Sequence, residues 1–293
     1  MSDTTAPRTG PAIALMVLAM CLMASMDATS KWLVEEISIP QILLVRFGIF
    51  LIVALALAGR RGFARTIRSQ RPGLQIIRSI VMLAEITVFI WAFSLLPLAD
   101  VHAIAAISPL MATALAVPLL REKVGWHRWS AVVIGFIGVL IIVRPGSGVI
   151  GWAALVPLLA AFLWALLQVL IRKVGLEDSV ETTALYSAVI AVVVMALFAP
   201  FTWQAPTGEQ WAILVLTGVL GSAGLLVLFK ALQLGAASAL QPFSYSMVLW
   251  AIVLGFLIWG HFPDAWTLTG VAIVVAGGLY AFSRERAADR SSR

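Results

Sequence analysis

The chain is poor in charge and nearly without cysteine. Of its 293 residues only 12% are charged, about half the share of an ordinary soluble domain. That excludes a water-soluble enzyme and a disordered tail protein. A single cysteine, Cys21, lies inside an apolar run, so no internal disulfide can form and a disulfide scaffold is excluded. There are three histidines, and none has a second His or Cys at metal-ligand spacing, so no metal site is expected. The phosphate-loop pattern G-x-x-x-x-G-K-[ST] is missing, as are G-x-S-x-G and H-E-x-x-H. Neither ATP binding of that kind nor a lipid-cleaving intramembrane enzyme has a motif to stand on, and no organic cofactor is implied.

What the chain has is apolar length. Hydrophobic residues make up 61% of it, and a membrane-crossing helix needs about 20 of them in a row. Runs bounded by charge, Pro or Gly give ten candidate spans: 12–33, 40–59, 74–96, 100–120, 128–144, 150–172, 181–200, 209–232, 237–259 and 265–283. Backbone polar groups must be satisfied internally in lipid, so these runs are expected to be helices. The first follows Arg8, is too long for a signal-peptide core, and is read as the first transmembrane helix.

The net charge of +6 does not suggest nucleic acid, because the basic residues sit between apolar runs. Alternate gaps hold fifteen Lys and Arg, five of them at Arg60, Arg61, Arg65, Arg68 and Arg71. The other gaps hold Arg144 alone, with Lys31 near a helix end. This bias predicts that both termini are cytoplasmic.

The two halves echo each other. An offset of 139 pairs Ala92 with Ala231, His102 with Gln241 and Gly138 with Gly277. An offset of 141 pairs Asp27 with Gln168 and Lys31 with Arg172. Each half holds five spans. Five is odd, so the second half enters from the opposite face, as in inverted-repeat carriers. The expected fold is all-α: ten transmembrane helices as two inverted five-helix repeats, 1–145 and 146–293, around a central cavity. Gly135, Gly138, Gly218, Gly221, Gly224, Gly270, Gly277 and Gly278 are read as helix-packing positions.

Two stretches carry a resemblance. "FSLLPLADVHAIAAISPLMATALAVPLLREKVGWHRWSAVVIGFIGVLIIVRP" (93–145) and "LQLGAASALQPFSYSMVLWAIVLGFLIWGHFPDAWTLTGVAIVVAGGLY" (232–280) resemble the two repeats of the drug/metabolite transporter superfamily, EamA type. Overall the chain is most similar to bacterial exporters of aromatic and other neutral amino acids, the YddG type. The resemblance implies a secondary transporter in the bacterial inner membrane, exporting amino acids by alternating access. The alternative is another small metabolite, a vitamin, nucleotide derivative or drug, moved in either direction. The family's acidic residue is kept at Glu122 in the first half, but His261 stands at the matching place in the second. Lipid is the expected surroundings, and nothing in the composition requires an oligomer.

Ionisable groups inside hydrocarbon raise functional expectations. Asp27 lies at the depth of Arg46, with Lys31 one turn beyond it. Asp27 is read either as Arg46's structural partner or as a cavity-facing ligand for an ammonium group. Glu85 is the deepest acid and has no ionisable neighbour one turn away, so it is read as a proton or amine ligand or as a protonated, hydrogen-bonded core residue. Arg78 is expected to reach back to the cytoplasmic interface, and Lys230 likewise. His102 is read as a cap or a titrating ligand. Trp91, Trp164 and Tyr245 are candidate ring contacts for an aromatic solute, with a lipid-facing or packing role the alternative for Trp91 and Trp164, and Ser108, Gln168 and Ser244 are candidate hydrogen-bonding groups. Pro109 and Pro242 interrupt corresponding helices and are read as hinges beside the substrate site.

Overall fold

With no water to accept from or donate to the backbone, each apolar run closes its hydrogen bonds within itself and becomes a helix. The computed structural model describes residues 9–120, 126–144, 151–175, 178–234 and 237–291, and no strand occurs among them. The first half comprises α1 (Thr9–Val34), α2 (Ile39–Arg61), a short α3 (Phe63–Ile67), α4 (Pro72–Leu95), α5 (Leu98–Ala105), α6 (Ser108–Leu120) and α7 (Trp126–Val143). The second comprises α8 (Leu155–Gly175), α9 (Val180–Phe198), α10 (Gly208–Leu234), α11 (Ala237–Ser244), α12 (Ser246–Trp259) and α13 (Ala265–Ser291).

Eight segments are long and apolar enough to cross a membrane, and α7 and α13 add the shorter apolar stretches Trp129–Val143 and Ala265–Tyr280. Helices α5 and α6 together make one crossing, Leu98–Leu120. Each of the ten expected runs is thus a helix or a broken helix. Local chemistry sets several ends. Pro40 and Pro72 sit in the first turns of α2 and α4, where a missing N–H costs nothing. Ser179 caps α9 by accepting from Thr182 N–H. Gly260, at φ 69°, turns the chain left-handed after α12.

Helix α1 packs on α10, and α4 on α8; α2 packs on α9, and α7 on α13. The lesser pairs, α6 with α8 and α12 with α1, follow the same rule. Exchanging the halves maps every one of these pairs onto another pair or onto itself, which is what a pseudo-two-fold axis requires. The small residues sit at the crossings. A methyl group on Gly138 would stand 2.9 Å from the Gly270 carbonyl oxygen, and one on Gly270 would stand 2.6 Å from that of Gly138. In the same way Gly224 of α10 admits Met23 and Leu22 of α1, and Gly218 admits Ile49 of α2. Close backbone approach of this kind replaces the hydrophobic effect, which is weak between helices already in lipid.

The outward faces remain apolar. On α4, Ile76, Ile77, Ile80 and Trp91 form an exposed stripe; Leu249, Phe256 and Leu257 do so on α12. Lipid covers such surface without cost.

Candidate functional site

The transmembrane runs that carry Pro109 and Pro242 are both broken. Helix α5 ends at Ala105, and α6 begins at Ser108 with Pro109 in its first turn. Pro109 has no N–H for the Ala105 carbonyl, so the hydrogen-bond ladder lapses there. In the second half α11 contains Pro242 and stops at Ser244; α12 begins at Ser246. These breaks lie in corresponding helices of the two repeats. Irregular backbone at membrane depth is tolerated where it borders a site rather than lipid.

Beside the first break lies a buried charged cluster. Helix α1 brings Asp27, α2 Arg46, α4 Glu85 and α5 His102. Asp27, Glu85 and His102 are 6%, 6% and 4% exposed, so all three are withdrawn from lipid and bulk water. His102 Nε2 stands 3.3 Å from Asp27 Oδ2, off the direction of a hydrogen bond, and has no other partner among the described residues. Arg46 lies within electrostatic range of both Asp27 and Glu85. It has room because α10 presents Gly221 there: a methyl group on Gly221 would lie 3.7 Å from Arg46 Nε.

Aromatic rings wall the cluster. Glu85, Phe89 and Phe93 follow one another at four-residue steps along one face of α4. The Phe89 ring meets His102 edge-on at 5.2 Å and Phe93 at 5.0 Å, and Phe93 lies 5.9 Å from His102. Ring faces and edges thus stand next to charged groups here. Phe89 and Phe93 were missed in the sequence reading, although their spacing from Glu85 was the available signal.

Two polar ties bracket the cluster. Towards the end carrying Arg144, Lys31 does not stay over Asp27. Its Nζ donates to the carbonyls of Phe93 (2.7 Å) and Leu96 (3.1 Å), capping the last turn of α4. It also sits 5.6 Å from the Trp259 ring. Towards the basic end, Arg78 does not reach back to the interface. It is 2% exposed. Its guanidinium lies within hydrogen-bond reach of Gln75 Oε1, Ser79 Oγ, the Thr183 carbonyl and Ser187 Oγ, tying α4 to α9. Polar partners on the neighbouring helix make burial cheaper than stretching to the headgroups. Asp178 completes this tie, accepting from Ser69 Oγ, Gln70 N–H and Gln75 Nε2. Partial burial works to raise the Asp178 carboxyl, but these three donors outweigh it and hold the group below the ordinary carboxylate value.

The remaining candidates are scattered. Trp91 stands on the lipid-facing stripe of α4, 44% exposed, away from Glu85. Trp164, 43% exposed, is nine residues from the exposed Leu155, hence on the opposite face of α8. Gln168 and Ser244 are partly buried and Ser108 is buried at the start of α6. The Tyr245 hydroxyl fills the notch left by Gly278 on α13, which fixes it to that helix. Asp27 does not form a direct ion pair with Arg46 among the described contacts; its nearest charged-group contact is His102. Glu122 lies outside the described residues. Among the described residues no cluster of His, Cys, Asp and Glu could hold a metal ion.

Cavities open at both ends of the bundle. At the basic end one of about 350 Å³ is lined by Leu57, Arg60, Glu181, Phe229, Lys230 and Gln233. At the other end one of about 330 Å³ is lined by Asp100, Arg144, Gly260, His261, Asp264 and Thr267. Arg144 and Asp264 form an ion pair across it, joining α7 to α13.

Ten crossings in two repeats, with broken helices beside a buried polar cluster and a cavity at each end, define a membrane carrier, not an enzyme. The EamA-like transporter family model matches residues 10–144 and again 151–283, and the chain belongs to that family. It is 29% identical to the riboflavin transporter of Vibrio cholerae over 95% of each chain. It is 28% identical to the S-adenosylmethionine uptake transporter of Rickettsia felis, covering 93% of this chain and 92% of that one. It is 25% identical to the pseudopaline exporter of Pseudomonas aeruginosa over 94% of this chain and 96% of that one. A crystal structure with 19% sequence identity has the same fold, with a TM-score of 0.63 over 93% of this chain and 96% of that one.

Proposed function

We propose that this carrier moves a metabolite built on a heteroaromatic ring, of the vitamin or nucleoside class, and not a free amino acid. The carrying observation is the cluster itself: Phe89, Phe93 and His102 offer ring faces and edges, directly beside Asp27, Arg46 and Glu85. A ring with a polar or charged appendage engages both parts. The names of the relatives support the choice, since riboflavin and S-adenosylmethionine each join a heteroaromatic ring to a polar chain. The amino-acid exporter expected from the YddG-type resemblance has no such support among these relatives.

The wider reading follows from the same features. Repeats 1–145 and 146–293 rock against each other about Pro109 and Pro242. The basic end, with Arg60 to Arg71, faces the cytoplasm of a bacterial inner membrane, a reading supported by the distribution of Lys and Arg. Reconstitution in liposomes tests the substrate class. Labelled riboflavin or S-adenosylmethionine is expected to show saturable counterflow, while labelled Phe, Trp and Thr do not. Counterflow of amino acids alone would overturn the proposal.

A further inference from the structure

Charge in the centre of the bundle does not balance. Asp27 and Glu85 supply two carboxylates, Arg46 one guanidinium, and His102 an imidazole whose Nε2 faces Asp27. With the imidazole neutral, the cluster holds one surplus negative charge. Among the described residues, the only charged groups acting on Arg46 and Glu85 are each other and Asp27. Lys31 is electrostatically engaged with Glu35 and bonded to the carbonyls of Phe93 and Leu96. Helix α12 has no charged residue, while α8 and α10 carry theirs only near their ends, at Arg172, Lys173, Glu209 and Lys230. A buried group in this position takes up a proton instead of remaining an uncompensated ion.

We propose that the cluster carries one exchangeable proton, and that this proton is the coupling ion, exchanged for a cationic group on the solute. The proposal rests on the carrier reading above and adds its coupling ion. Either resting arrangement is neutral: a protonated His102 over Asp27 with Arg46 against Glu85, or a protonated Glu85 with Arg46 against Asp27. A cationic sulfonium or ammonium entering between the carboxylates makes the proton redundant, and the proton leaves. One positive charge replaces another, and no bond besides the N–H or O–H is broken.

The ligand-free test counts protons on the purified full-length chain at pH 7. Infrared spectroscopy reads protonated carboxyls, and nitrogen NMR with labelled histidine reads His102, one of only three histidines. One proton is expected between the two reporters in the wild type. Glu85→Gln and Asp27→Asn should each remove it, since Arg46 then balances the remaining acid; Arg46→Gln should add a second. A wild type with no such proton, or an Arg46→Gln variant that gains none, overturns the proposal. S-adenosylmethionine is the cationic probe and riboflavin the neutral one. Binding of the first should release one proton and weaken by up to about tenfold per unit fall in pH, as one-for-one competition demands. Riboflavin should release none, and equal release by both probes overturns the exchange. If neither probe binds, the ring-substrate reading falls, and the proton count alone decides this one.

Discussion

Replacing Gly270 by alanine should loosen the pairing of α7 with α13, which joins the two repeats. The added methyl would lie 2.6 Å from the Gly138 carbonyl oxygen and would overlap the Ile142 side chain. Ordinary carbon–oxygen contacts begin at about 3.3 Å. The obstruction is backbone, so a rotamer change cannot relieve it, and the helices must separate by roughly 0.5–1 Å. A gap of that size forfeits about a quarter to a half of the dispersion energy of each contact along the crossing. Overpacking at such a site costs about 1–3 kcal/mol; a value near 2 corresponds to about a 30-fold shift in the unfolding equilibrium. Gly48→Ala is the control, since a methyl there meets nothing within 4 Å. It should be neutral or stabilise by up to about 1 kcal/mol through backbone entropy. Mixed-micelle denaturation, followed by tryptophan fluorescence and circular dichroism, reads both variants. Equal midpoints for Gly270→Ala and Gly48→Ala would refute the close-approach account.

Removing the buried guanidinium by Arg78→Ala should cost roughly 3 kcal/mol, because it leaves Gln75 Oε1 without its donor and breaks the ties to the Thr183 carbonyl and Ser187 Oγ, whereas Ser187→Ala should cost about 1; the same denaturation assay compares them. Asp264→Asn should lower stability by less than about 1 kcal/mol despite the close contact with Arg144, because the Asp264 side chain is 45% exposed and solvent screens the pair. The Asp178 tie should respond to pH in one direction only. Its carboxyl is held below the ordinary value, so its contribution is complete above about pH 4 and is lost as the pH falls further. Limited proteolysis of the 62–71 segment against pH checks this, and Asp178→Asn should abolish the dependence.

The crossings were legible in the sequence because lipid imposes one rule on every run: apolar outside, hydrogen-bonded within. The first break was legible too, since Pro109 removes the donor where α6 begins; Pro242 marked the right helix but lies inside α11, ahead of the break at Tyr245. Depth along a helix could also be read, and it placed Asp27 and Arg46 at one level. Which side chains meet could not be read. Asp27 and His102 are 75 residues apart, and their contact depends on how α1 and α5 are rotated, which no local pattern encodes. Arg78 misled for a related reason. Its position along α4 points to the interface, while Thr183 and Ser187, which hold it inside, belong to α9. Trp91 was a fair candidate by type and depth alone, and only its rotation on α4 turns it outward.

The four ionisable residues of the central cluster all come from the first repeat. In a transporter with interchangeable halves, the states open to either side would be mirror twins, equal in energy and equally avid for cargo. A cargo held by this cluster, as proposed above, would lean on one half throughout the cycle, and the twins would no longer be degenerate. The proposed site therefore predicts an inherent sidedness: affinity measured from one compartment should differ from that measured from the other, even with no gradient across the membrane.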